Sequence, residues 1–195
     1  NKNKIKWMIL FLLITVISIV LDQWTKYLSI QNLQGKGAYS LINGVLELQF
    51  FSNTGIAWSM LEGQSLFILF IGIVFLAVIL FFVIKLPEHK KFRLVYIFGG
   101  LLTGGAIGNM IDRIFRGGKV IDFLNFQFID FPVFNIADIA VCVGTGLLFL
   151  YFILDTIKDL KARKKNISDK ENGEVLISEG LVRMKERSVC VLLAK

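Results

Sequence analysis

The sequence predicts an α-helical membrane protein with four transmembrane helices and a short strand in one outward loop. The first observation is composition: 55% of the 195 residues are apolar and 19% charged, with a mean hydropathy of +0.66, outside the range of soluble domains. The second is the presence of four uncharged or nearly uncharged runs of bilayer length. The third is the distribution of basic residues around those runs. Eighteen Phe, 4 Tyr and 3 Trp with so little charge exclude general disorder. The net charge of +7 forms no basic stripe interleaved with aromatics, so it reads as membrane topology and excludes nucleic acid as a partner.

A hydrocarbon core about 30 Å thick needs roughly 20 helical residues. Trp7 to Leu21 is uncharged and extends past Asp22 toward Ser29; Ser65 to Ile84 and Leu94 to Ile111 are uncharged; Ile136 to Leu154 carries only Asp138. The spans are therefore placed at about 7–28, 65–84, 93–112 and 136–155. The first follows Lys2, Lys4 and Lys6 as a signal peptide would, but no small-x-small cleavage site follows it, so it is read as a span. Of the 22 Lys and Arg, 17 flank one side of this arrangement and 5 the other, which predicts both termini in the cytoplasm and two loops facing outward.

In the first outward loop, Val45 to Phe51 alternates Leu46, Leu48 and Phe50 with Glu47 and Gln49, the pattern of a strand packed outside the hydrocarbon. The second, from Arg116 to Pro132, turns at Gly117 and Gly118 and reads as a segment at the membrane interface. Residues 166–195 are polar and read as a cytoplasmic tail of open order. The two cysteines, Cys142 and Cys190, make no disulfide framework. The one histidine, His89, sits in a Lys-rich loop and offers no zinc pattern, so no metal or other cofactor is expected.

Polar residues at span ends are candidates for function because they are costly there. Asp22 and Lys26 end the first span, Asn109, Asp112 and Arg113 the third, Asp122 follows in the loop, and Asn135 and Asp138 open the fourth. The predicted topology brings all of them to the outer end. At about 100° per residue, Gly105, Asn109, Asp112 and Arg113 share one helix face. Gly100, Gly104 and Gly108 form a small-xxx-small stripe for close helix packing; the glycine-rich string lacks nucleotide-loop spacing. Each has a bland account as well: Asn135 and Asp138 as a capping box, Asp22 and Lys26 as an i,i+4 pair, Asp112 and Arg113 as interfacial charges, Cys142 as a small core residue. Asp122 and Asp138 tip the balance. Two carboxylates from different elements that meet share a proton and titrate as a unit, the state that activates water against a carbonyl. The start of the fourth helix favours Asp138 as the ionised member.

The strings DQWTK from Asp22, NTGIAWS from Asn53, GGAIGNMIDR from Gly104, VIDF from Val120 and FNIAD from Phe134 resemble, in order, those of the bacterial lipoprotein signal peptidases, signal peptidase II. The resemblance implies an intramembrane aspartic endopeptidase that cuts a prolipoprotein just before a cysteine already carrying diacylglycerol. It implies Asp122 and Asp138 as the catalytic pair, with Asp22, Lys26, Asn53, Asn109, Arg113 and Asn135 in support. It further implies an extracytoplasmic β-cradle at about 38–62, a mobile covering element after Asn53, membrane lipid as surroundings, and inhibition by the cyclic peptide globomycin. A four-helix peptidase domain would occupy 1–165. Two departures are visible: the turn between Arg113 and Asp122 is a residue longer than expected, and the 166–195 tail extends past the usual end. Asn1 in place of Met suggests a trimmed or incomplete start.

Three other readings compete. A proton- or ion-coupled transporter would need polar residues through the bilayer depth, and a structural subunit would use the charges only as caps and topology signals. A serine–lysine peptidase would pair Ser59 with Lys26.

Overall fold

The computed structural model of the chain describes residues 2–55, 60–87 and 89–193, with side chains described for 3–55, 60–87, 89 and 91–167. Ser59, most of the segment expected to cover the site, and the Cys190 side chain lie outside them. In chain order the elements are α1 (Lys2–Leu33), β1 (Tyr39–Ile42), β2 (Leu46–Asn53), α2 (Ser65–Lys85), α3 (Arg93–Phe115), β3 (Val120–Phe126) and α4 (Ile136–Leu193). Among the described residues, four helices are long and apolar enough to cross a membrane. α2 shows why: its 21 residues rise about 30 Å, and Leu66, Phe70, Phe81 and Phe82 are each more than half exposed, as side chains facing lipid would be.

The chain forms two compact units, Asn1–Phe149 and Leu150–Lys195. In the second unit α4 stays helical to Leu193, through the segment read from sequence as polar tail. That segment contains no proline, and its Glu, Leu, Lys and Arg favour helix, against Gly173 and Gly180.

In the first unit, α1 and α3 make the central packing. The glycine stripe of α3 lies against α1: a Cβ on Gly104 would stand 2.5 Å from Ser18 Cβ and 2.8 Å from the Thr15 carbonyl oxygen, and one on Gly108 2.6 Å from Asp22 Oδ2. Thr15 Oγ1 donates across this seam to Gly100 O at 3.2 Å. Gly105 is turned toward α4, where a Cβ would overlap the Ala137 carbonyl. At the opposite end, Phe11, Val83 and Tyr96 form an apolar core.

The three strands form one antiparallel sheet in the order β1–β2–β3. β2 is the expected strand, two residues longer at its C-terminal end. β3 was not expected from sequence; the stretch reads as an interfacial loop because Val120 to Phe123 are all buried, leaving no alternation to detect. Gly117 and Gly118, at φ of 63° and 84°, make the left-handed turn that sends the chain from α3 into β3.

The seam leads to a test by single methyl groups. Gly104→Ala should lower the thermal midpoint in detergent by several degrees, corresponding to about 1–3 kcal/mol of overpacking. Gly146→Ala, where the added carbon meets nothing, should leave it unchanged or higher.

Candidate active site

The N-terminus of α4 carries a reciprocal capping box. Asn135 Oδ1 accepts from the Asp138 N–H at 3.0 Å, and Asp138 Oδ2 accepts from the Asn135 N–H at 3.0 Å. This satisfies two backbone donors that a helix start leaves open. Capping uses only part of either residue. Asp138 Oδ1 accepts from Asn109 Nδ2 at 2.8 Å, and Asn135 Nδ2 donates to Asp122 Oδ1 at 2.6 Å. Asn135 is fully buried and so touches both aspartates, one with its backbone and the other with its side chain.

Asp122 comes to this point on β3. Strand pairing sets Phe51 opposite Asp122 and Asn53 opposite Val120, and Asn53 Nδ2 reaches Asp122 Oδ2 at 3.0 Å. The start of α4 is tied to the same strand, because Phe134 and Leu124 exchange backbone hydrogen bonds at 2.8 and 2.9 Å. Asp122 is 2% exposed. Burial first, and then the neighbouring Asp138 charge, push its carboxyl up to about 7, against the hydrogen bonds from Asn53 and Asn135 that pull it down.

Behind the aspartates lies a buried ionic cluster. The Lys26 Nζ contacts Asp22 Oδ2 at 2.9 Å, Asp112 Oδ2 at 3.1 Å and Asn109 Oδ1 at 2.9 Å. Its three N–H donors thus have three acceptors, which leaves no lone pair for the serine–lysine chemistry that would need Lys26 as a base. Arg116 Nε meets Asp112 Oδ1 at 3.1 Å. Gln23 Nε2 stands 3.1 Å from both Asp22 Oδ2 and Asp112 Oδ1.

A cavity of about 510 Å³ opens onto the aspartates. Its polar wall includes Asn53, Asn109, Arg113, Asp122 and Asp138; its apolar wall includes Ile68, Phe126, Phe131 and Phe134. Arg113 is anchored by Nη1 to Asn109 O at 3.2 Å and by Nη2 to Gly55 O at 2.9 Å, while its buried Nε has no partner among the described residues. Cys142 departs from expectation. It is exposed and lines the cavity because one turn of helix carries it to the same face as Asp138, not into the core.

All eight residues singled out from sequence therefore stand at one end of the bundle. Asn53, Asn109, Arg113, Asp122 and Asp138 border the cavity, Asn135 bridges the aspartates, and Asp22 and Lys26 stand behind. Sequence reasoning missed Gln23 and Arg116; it named Asp112 as a candidate, with an interfacial charge as the bland account, and left it out of the supporting set. The signal available was the second acid–base i,i+4 pair, Asp112 and Arg116, matching Asp22 and Lys26. His89 stays in its loop, where Nδ1 accepts from the Lys91 N–H at 3.2 Å; among the described residues no group of His, Cys, Asp and Glu could hold a metal.

The family model described as signal peptidase (SPase) II matches residues 14–154. A lipoprotein signal peptidase of Enterococcus faecalis is 40% identical over 148 residues, covering 76% of this chain and 90% of that protein. One of Halalkalibacterium halodurans is 39% identical over 159 residues, covering 80% and 97%. A solved bacterial membrane enzyme superposes with a TM-score of 0.66 at 32% identity, over 75% of this chain and 88% of the other. A match spanning all four helices, at this identity and over nearly the full length of the relatives, places the chain in a family of membrane proteases: it belongs to the signal peptidase II family.

Proposed function

We propose that the chain is an aspartic endopeptidase that cleaves the signal peptide from diacylglyceryl-modified prolipoproteins just before the lipidated cysteine, with Asp122 and Asp138 as the catalytic pair. The observation that carries this reading is the Asn135 bridge, which ties together two carboxylates that both line one cavity. Asp138, at a helix N-terminus, takes the proton of a water molecule as it attacks the scissile carbonyl carbon. Asp122 holds the shared proton and gives it to the carbonyl oxygen. Collapse of the tetrahedral intermediate breaks the C–N bond, and the proton gained by Asp138 passes to the leaving amine. Arg113, fixed by two carbonyls on the cavity wall, supplies a positive charge beside the reacting carbonyl. Asn53, Asn109 and Asn135 orient the carboxylates; Asp22 and Lys26 support them from behind.

The charge bias supports an orientation with both termini cytoplasmic and the site on the extracytoplasmic side of the bacterial cell membrane. There a lipidated substrate keeps its acyl chains in lipid while water reaches the scissile bond, and a globomycin-type cyclic peptide would compete for the same cavity. The peptidase chemistry belongs to residues 1–165. A transporter is not favoured: the polar side chains gather at one end, and α2 offers no charge along the bilayer until Lys85.

Asp122→Asn and Asp138→Asn should each lower cleavage of a diacylglyceryl-modified precursor by roughly 10³-fold or more without loss of folding or membrane insertion; processing at the parent rate by either variant contradicts the pair. In the parent, activity should fall as pH rises through about 7, because Asp122 then loses the proton it must give.

The same shift makes a stability prediction. Folding raises the Asp122 value from 3.8 to about 7, so the stability contributed by its bound proton is fully present below 3.8 and is lost as pH rises to about 7. Asp122→Asn, which cannot ionise, should therefore match the parent near pH 4, gain on it by up to about 1.4 kcal/mol per pH unit, and hold a constant advantage above pH 7. Thermal melting across that range reads the effect.

A further inference from the structure

The peptidase chemistry does not by itself explain why so much charge is buried behind the aspartates. Asp22, Lys26 and Asp112 have fully buried side chains, and a buried ion pair is rarely a net gain over apolar packing. The α1–α3 seam, moreover, already has its glycine stripe. The backbone partners of the two carboxylates suggest the answer. Asp112 Oδ2 accepts from the Ile121 N–H at 3.0 Å, and Asp22 Oδ1 accepts from the Ala137 N–H at 2.9 Å. Ile121 immediately precedes Asp122, and Ala137 immediately precedes Asp138.

A continuous chain of charge-assisted bonds therefore runs from one of these peptide groups to the other: Ile121 N–H to Asp112, Asp112 to Lys26, Lys26 to Asp22, and Asp22 to Ala137 N–H. Gln23 joins the two carboxylates a second time, from a different side. Arg116 takes up the remaining capacity of Asp112 Oδ1. Every carboxylate oxygen in the cluster has a partner, which leaves the cluster one satisfied arrangement. The third Lys26 bond, to Asn109, continues to Asp138 Oδ1.

We propose that Asp112 and Asp22 are paired positioning residues, two backbone clamps joined through Lys26 that set the spacing between Asp122 and Asp138. The proposal rests on the peptidase reading and deepens it. Ala137 is at the second position of α4, where the N–H has no partner within the helix; Asp22 supplies one from α1 and fixes the helix start in place. Asp112 does the same for β3 from α3. A helix and a strand that share no regular hydrogen-bond ladder are in this way held to one reference, the Lys26 ammonium. Displacing either carboxylate shifts a peptide plane next to a reacting group, and a misplacement of about 1 Å is enough to cost roughly 100-fold in rate.

The test separates position from charge. Asp112→Asn keeps an acceptor at the same reach from Ile121 N–H but loses the charge. Asp112→Glu keeps the charge for Lys26 and Arg116 but carries the carboxylate one methylene further. With the full chain in detergent and a diacylglyceryl-modified precursor, a clamp predicts the larger kcat loss for Asp112→Glu, about 100-fold, and about tenfold or less for Asp112→Asn. KM should stay within about threefold for both, since neither variant touches the cavity wall. Equal losses, the reverse order, or a rise in KM at unchanged kcat would overturn the proposal. Where a position 112 variant does not fold, Asp22→Asn and Asp22→Glu, acting on Ala137 N–H, are judged by the same order. A parent protein that cleaves no better than Asp122→Asn refutes the peptidase reading itself; a parent that cleaves while Asp112→Glu remains at parent kcat refutes the clamp alone.

Discussion

One buried ammonium organises the candidate-site end of this molecule. Lys26 has no exposed side-chain surface and holds three oxygens from two helices near 3 Å. A lone charge in that position would cost several kcal/mol, so its carboxylate partners are a condition of the fold. They reach it because α1 and α3 lie unusually close. Gly108 leaves room for the Asp22 carboxylate itself, and Gly104 lets the helices approach one turn deeper. The glycine stripe and the charges are thus one device seen at two depths: the small residues bring the backbones together, and proximity makes the ionic contacts possible.

The two accounts of Asn135 and Asp138, as caps and as site residues, are not exclusive. Each residue has more hydrogen-bonding capacity than a cap consumes. The capping bonds fix the χ angles of Asp138 and leave Oδ1 directed to Asn109. Asn135 likewise spends its carbonyl oxygen on the helix and its amide on Asp122. A carboxylate held by its own helix start needs little further support to keep one rotamer.

Much of this was legible in the sequence, for physical reasons that also explain the gaps. Uncharged runs of bilayer length leave little freedom in the number of helices. Polar side chains beside them are so costly that Asp22, Lys26, Asn109, Asp112, Arg113, Asp122, Asn135 and Asp138 stood out. β3 was not legible, because a strand buried on both faces has no period, and its partner β2 is some 70 residues distant (Asn53 pairs with Val120). Gln23 was not legible either; adjoining Asp22 at the end of the first span, it reads as part of the same polar boundary. Cys142 was misread as core because helix position alone cannot tell a lipid-facing or cavity-facing thiol from a packed one.

The apolar side of the cavity has its own consequence. Phe126, Phe131 and Phe134 pack with ring centroids 5.0–5.9 Å apart, presenting carbon and no hydrogen-bonding group. Such a surface discriminates by bulk alone, and a methylene more or less against it is worth only about 1–3 kcal/mol. Leader peptides of many different sequences could rest there with similar ease, provided that they are greasy and of tolerable girth. Breadth of clientele then follows from what the aromatic wall lacks, and fidelity must come from the few polar atoms opposite it.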